Sequence, residues 1–209
     1  MIRSSAPAKR PRRTQAERRA TTRAALLDAV LESLLEDGYA GITTRKIAIR
    51  AGVSQGTQQH YFASKRELVV EALRYAVQQL AADAMRRIDA HDLSDPERAE
   101  AVIDELWRLH QNPAFRASLE LWNAARGDDE LRREVRKLER DVVGLISGAA
   151  REWLPDAEAA APAMTVLDIC LATVRGYSML APVVPQREIN ARWAIAREHF
   201  VRAFRDALG

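Results

Sequence analysis

The chain has 209 residues, enough for one or two domains, and a 47% hydrophobic share is enough for a sizeable core. Its single cysteine excludes an intramolecular disulfide, and the formal net charge of +3 hides an uneven distribution. Residues 1–66 carry 13 Lys/Arg against 5 Asp/Glu, a net of +8, whereas residues 67–209 carry 19 against 24, a net of −5. The two regions therefore face different partners, and the basic third has the charge that phosphate attraction to DNA requires.

No apolar run approaches the roughly 20 residues of a membrane span. No secretory apolar region precedes Leu26. The expectation is a soluble, cytoplasmic chain with no membrane partner.

Residues 1–13 contain Pro7, Pro11, Lys9, Arg10, Arg12 and Arg13 with too little apolar content to fold. They read as a flexible basic arm, either a source of nonspecific affinity or an arginine arm for the minor groove. Thr14 and Glu17 have capping-box spacing and open a helix to about Asp37, striped by Leu26, Leu27, Val30, Leu31, Leu34 and Leu35. Gly38 ends it.

From Ile42 to Leu68 the helix starts are closely spaced. Thr43 caps a short helix, with Ile42 and Ile47 placed as a hydrophobic staple. Gly52 suits the positive φ of a sharp turn, Val53 can be buried, and Ser54 caps a second short helix. Ser64 and Glu67 form the next capping box, followed by Leu68. Two short helices joined by a glycine turn are the signature of a helix-turn-helix, whose second helix enters a nucleic-acid groove. Ile47, Ala48, Val53 and Phe62 belong to its core.

The string ITTRKIAIRAGVSQGT followed by HYFASKREL resembles the DNA-binding domain of the TetR family of bacterial transcription regulators, over about Thr22 to Leu73. The agreement includes Gly38, Thr43, Ile47, Ala48, Ala51, Gly52, Val53, Ser54, Gly56, Thr57, Tyr61, Phe62, Lys65 and Leu68. Gln58-Gln59 stands where the family usually has Leu-Tyr, whose Leu serves as a staple and whose Tyr touches a phosphate. Gln59 can instead read an adenine edge through its amide.

The candidate DNA-binding set is Thr43, Thr44, Arg45, Ser54, Gln55, Gly56, Thr57, Gln59, His60, Tyr61 and Lys65. The resemblance assigns Thr44, Tyr61 and Lys65 to phosphates. Arg45 can pair bidentately with a guanine.

A long helix from Ser64 to about Ala90 links the reading head to the rest, and helices continue from Asp95 to Gln111 and from Asn112 to Arg126. Further helices run from Asp128 to Trp153, stopped by Leu154-Pro155, then from about Ala159 to Ala181 and from Arg187 to Leu208. The expected fold is all-α with about nine helices. It divides into a basic arm at 1–13, a helix-turn-helix domain at 14–66 and an effector-binding and dimerisation domain at 67–209.

The last two helices are apolar on several sides, so a second subunit can cover them. The family resemblance implies a homodimer built on a four-helix bundle of these helices. The candidate interface residues are Val166, Cys170, Val174, Trp193, Phe200 and Phe204. A small-molecule cavity is expected among Met85, Trp107, His110, Phe115, Leu119, Trp122, Asn123, Met164, Arg175 and Tyr177. Arg175 needs a partner inside an apolar helix: Asp168, another chain's carboxylate or an anionic ligand.

His60, His91, His110 and His199 lack metal-site spacing, and no HExxH, CxxC or phosphate-cradling glycine loop occurs, so no enzyme, metal or cofactor is expected. The functional expectation is a homodimeric repressor that leaves a palindromic double-stranded DNA operator when a small-molecule effector binds. The alternatives are a regulator that binds DNA constitutively and a helical adaptor that binds only protein.

Overall fold

A computed structural model describes residues 14–89, 95–153 and 160–208, and among these every regular element is an α-helix. The arm at 1–13, His91 and the stop at Leu154-Pro155 lie outside those residues. The helices are α1 Gln15–Gly41, α2 Thr44–Arg50, α3 Gln55–Tyr61, α4 Lys65–Asp89, α5 Asp95–His110, α6 Pro113–Ala124, α7 Asp129–Trp153, α8 Ala160–Leu180 and α9 Gln186–Leu208.

Local chemistry explains where they start. Thr14 and Glu17 close their capping box, with the Thr14 amide donating to Glu17 Oε2 at 2.7 Å. Thr43 Oγ1 accepts from the Lys46 amide and Ser54 Oγ from the Thr57 amide. At α4, Ser64 Oγ accepts from the Glu67 amide at 3.1 Å, while the Glu67 carboxylate reaches the amide of Ala63 instead of the cap itself. Asn112 and Asp128 cap α6 and α7 in the same way. Gly38 breaks α1 near its end with φ of 63°, and Gly52 turns the chain between α2 and α3 with φ of 67°; both values favour glycine.

Two apolar cores result. The first joins Leu26, Leu27, Val30 and Leu34 of α1 to Ile47, Phe62 and Leu68 to Leu73, then continues through Ala117 and Leu121 of α6 into Leu131, Val135 and Leu138 of α7. It therefore runs across residue 66. The second joins Ile88 at the end of α4 to Ile103 and Leu106 of α5, Leu167 and Val174 of α8, and Trp193, Val201 and Phe204 of α9. At about 1.5 Å per residue, the 25 residues of α4 extend roughly 38 Å and enter both cores.

Helix α8 corrects one expectation. Its segment Ala161–Leu180 is long and apolar enough, by length and composition, to cross a membrane. In the fold one side of it packs into the second core against α5 and α9, and Asp168 and Arg175 interrupt the rest.

Candidate DNA interface and ligand cavity

The reading head exposes a polar face. Gln55, Gly56, Gln59 and His60 of α3 are exposed, as is Arg45 near the start of α2. Arg45, with Arg18 and Arg19 on the first turns of α1, makes no ion pair among the described residues. Elsewhere on this domain the cations are engaged: Lys46 meets Asp37, and Arg50 meets Glu36. A Cβ added at Gly56 would meet nothing nearer than Ser54 Oγ at 3.9 Å, so packing within the chain does not demand a glycine there.

Other members of the predicted set have work inside the fold. Thr43 and Ser54 are the caps, and Thr57 shares a 2.8 Å hydroxyl contact with Ser54. Thr44 is half-buried. Tyr61 is half-buried against the first core, and its hydroxyl donates to the Arg19 carbonyl at 3.4 Å. Lys65 is half-buried with its ammonium 4.3 Å from the centre of the Tyr39 ring, and burial lowers its pKa.

The two glutamines part company. Gln59 is exposed, whereas Gln58 is 0% exposed and stands at the fourth helical position after Ser54, the staple position. Gln58 Nε2 donates to the Phe62 carbonyl at 3.2 Å, but its Oε1 has no partner among the described residues. Ile49, 70% exposed one turn after Arg45, was not in the predicted set, and nothing in the structure explains it.

A cavity of about 330 Å³ lies between the two cores, walled by α4, α5, α6, α7 and α8. Met85, His110, Phe115, Trp122 and Arg175 line it as expected, together with Val77, Leu106, Leu138, Val142 and Leu167. Trp107, Leu119, Asn123, Met164 and Tyr177 do not. Trp107 instead stacks on Trp193 at 4.7 Å and meets Tyr177 edge-on, filling the second core. Met164 packs against that same core, and Asn123 is exposed. Residue type marked these side chains as cavity-like, and helix orientation decided otherwise.

Arg175 also departs from expectation. Its partner is Glu139 of α7 at 3.0 Å, and its guanidinium lies 5.1 Å from the Trp122 ring centre, while Asp168 is exposed. His110 is buried with Nδ1 2.6 Å from the Leu106 carbonyl, and burial lowers its pKa to about 4, so the ring is neutral near pH 7. A neutral ring that donates from Nδ1 keeps Nε2 as an acceptor.

Four of the six predicted dimer residues are buried inside the chain. Cys170, Val174, Trp193 and Phe204 are buried, and Val166 and Phe200 are half-buried against the second core. Burial also raises the Cys170 thiol to about 12, which leaves it unreactive. The open apolar side carries Ile169 (53% exposed), Met179 (60%) and Ile195 (66%), with Ala172 and Gly176 between the first two. On α8 the series Ile169, Ala172, Gly176 and Met179 alternates steps of three and four, the spacing of a helix-packing seam.

Residues 26–72 match the model of the bacterial regulatory proteins of the tetR family. The chain is 34% identical over 126 residues to the HTH-type transcriptional regulator CymR of Pseudomonas putida, covering 60% of this chain and 62% of that one. It thus spans somewhat less than two thirds of that relative. Against the HTH-type transcriptional regulator BetI of Burkholderia mallei it is 31% identical over 139 residues, 66% of this chain and 71% of the relative. Among solved structures, the transcriptional regulator FadR from Bacillus subtilis, crystallised with stearoyl-CoA, shares the fold with a TM-score of 0.60 at 20% identity, over 86% of this chain and 97% of that one.

Proposed function

Because the chain belongs to the TetR family of bacterial regulatory proteins, we propose that it is a sequence-specific DNA-binding transcriptional regulator that represses from a palindromic operator and is released by a small molecule. The observation that carries this reading is the α3 face, where Gln55, Gly56 and Gln59 are exposed, with Arg45 at the start of α2 exposed and forming no ion pair among the described residues. Amides and guanidiniums at the N-terminal part of such a helix are suited to base edges. Thr43, Thr44, Ser54, Thr57, Tyr61 and Lys65 serve as supports that hold α3 and offer backbone amides or polar groups to phosphates.

The protein works as a homodimer in the cytoplasm, where its operator is. The outer face at Ile169, Met179 and Ile195 is the surface that a second copy covers. A two-fold pair sets two α3 helices about 34 to 36 Å apart, one helical turn of DNA.

The cavity is placed to act on that spacing. α4 lines it with Val77, Ala84, Met85 and Ile88, and the same helix begins beside the reading head. Arg66 ties the start of α4 to Asp128 and Glu130 at the start of α7, while Arg74 joins Glu71 to Asp141 farther along. A ligand that fills the space between the cores shifts α4 and α7 together only as far as it prefers one arrangement. A hundredfold preference amounts to about 2.7 kcal/mol.

The test is capture of genomic DNA fragments by the purified protein, followed by titration of a recovered fragment with salt and with small molecules. A recurrent inverted repeat, bound far more tightly than random duplex, supports the reading. Equal binding to random duplex overturns it. If no ligand alters the affinity, the protein binds constitutively instead.

A further inference from the structure

The cavity is apolar along most of its wall, but at Trp122, Glu139 and Arg175 it shares residues with a second, more open hollow of different character. Arg126, Arg132, Arg136 and Arg175 line that hollow with a single carboxylate, Glu139. Four guanidiniums against one carboxylate run counter to a region, residues 67–209, with 19 Lys/Arg and 24 Asp/Glu.

Their existing bonds do not consume them. Glu139 neutralises Arg175 at 3.0 Å, yet Arg175 Nε is enclosed without an acceptor among the described residues. Arg132 pairs with Asp129 at 2.9 Å and donates to the carbonyls of Ala125 and Arg126. Arg126 and Arg136 form no ion pair among the described residues. Glu105, the other carboxylate on the cavity wall, is held by Arg87 and Arg108 and adds no net negative charge to the interior.

We infer that the cavity takes an amphipathic carboxylate, with its apolar body between the cores and its anionic head at the mouth formed by Arg126, Arg136 and Arg175. This rests on the proposed reading that a small molecule acts through the cavity. The volume of about 330 Å³ holds roughly ten methylene-sized groups if each takes about the 30 Å³ of a liquid water, which suits a medium-length chain. A guanidinium fork matches a carboxylate in two hydrogen bonds; Arg175, half-buried beside Trp122, is the one shielded from screening, and Arg126 and Arg136 are exposed.

The experiment compares decanoate, decanol and decylamine on the full chain, read by calorimetry and by the fluorescence of the tryptophans, of which Trp122 lines both hollows. Decanoate is expected to bind at least about tenfold more tightly than decanol, and decylamine more weakly than either. Arg126→Gln/Arg136→Gln should cut the decanoate preference several-fold and leave decanol binding unchanged. Glu139→Gln, which removes the competing carboxylate, should tighten decanoate.

Equal affinity for decanoate and decanol, an unchanged preference in the double variant, or no binding of decanoate overturns the assignment. DNA release is measured separately. Decanoate that binds with the expected preference but leaves the operator complex intact supports the ligand class and removes the induction reading. Release by decanol as effective as by decanoate overturns the ligand class and leaves induction standing.

Discussion

Replacing Gln58 with leucine is expected to stabilise the protein without altering which DNA it prefers. Gln58 is wholly buried on the inner side of α3, with one hydrogen bond from Nε2 to the Phe62 carbonyl and no partner for Oε1 among the described residues. A buried acceptor left unsatisfied costs about 1–3 kcal/mol, and a made hydrogen bond contributes a net of about 0.5–1.5 kcal/mol. Gln58→Leu removes the first and forfeits the second, and the apolar area a leucine buries at the staple position offsets the cost of leaving the Phe62 carbonyl without that donor. The balance is a gain of roughly 1 kcal/mol, or a Tm higher by about 2–4 °C for a chain of this size.

Denaturant titration followed by circular dichroism, at fixed protein concentration, measures the change. The expected signature is a higher midpoint with an unchanged slope. The neighbouring Gln59→Ala should leave the midpoint alone and relax base preference at one operator position. A destabilised Gln58→Leu, or one with altered base preference, would refute the assignment of Gln58 to the core and Gln59 to the duplex.

Gly56→Ala should keep or slightly raise stability, by up to about 1 kcal/mol, because a Cβ has room within the chain. The same change should weaken DNA binding, measured by fluorescence anisotropy, if the bare backbone there must approach a duplex. His110 supplies a pH dependence: burial holds its pKa at about 4 in the folded chain against 6.5 for an ordinary imidazole, so the unfolded chain binds the extra proton more readily. Its contribution is complete above about pH 6.5 and is lost as pH falls toward 4, up to about 3 kcal/mol, so His110→Gln should flatten the stability profile over that window relative to the wild type. Ile169→Glu/Ile195→Glu should yield a folded monomer by light scattering, whereas a dimer that persists would place the interface elsewhere.

The helix starts were legible because caps act over three or four residues. Thr14, Thr43, Ser54, Asn112 and Asp128 stand at observed helix starts, and each side chain accepts the amide bond that its spacing implies. The two short helices α2 and α3 were legible for the same local reason. What sequence could not resolve was the direction in which a long helix faces. α8 is apolar on several sides, and the side bearing Cys170 and Val174 turned into the chain while Ile169 and Met179 stayed outside. The partner of Arg175 was equally non-local, since Glu139 comes from a helix 36 positions earlier and no spacing rule connects them. The same geometry separated Trp122, which lines the cavity, from Trp107, which stacks on Trp193.

Hydroxyl-radical and methylation footprinting of the full chain on a captured operator tests the central proposition most directly. Two protected major-groove patches on one face of the duplex, about 10 base pairs apart and occupied by two chains per site, are the predicted result. A single patch bound by one chain, or uniform protection at any sequence, would contradict it.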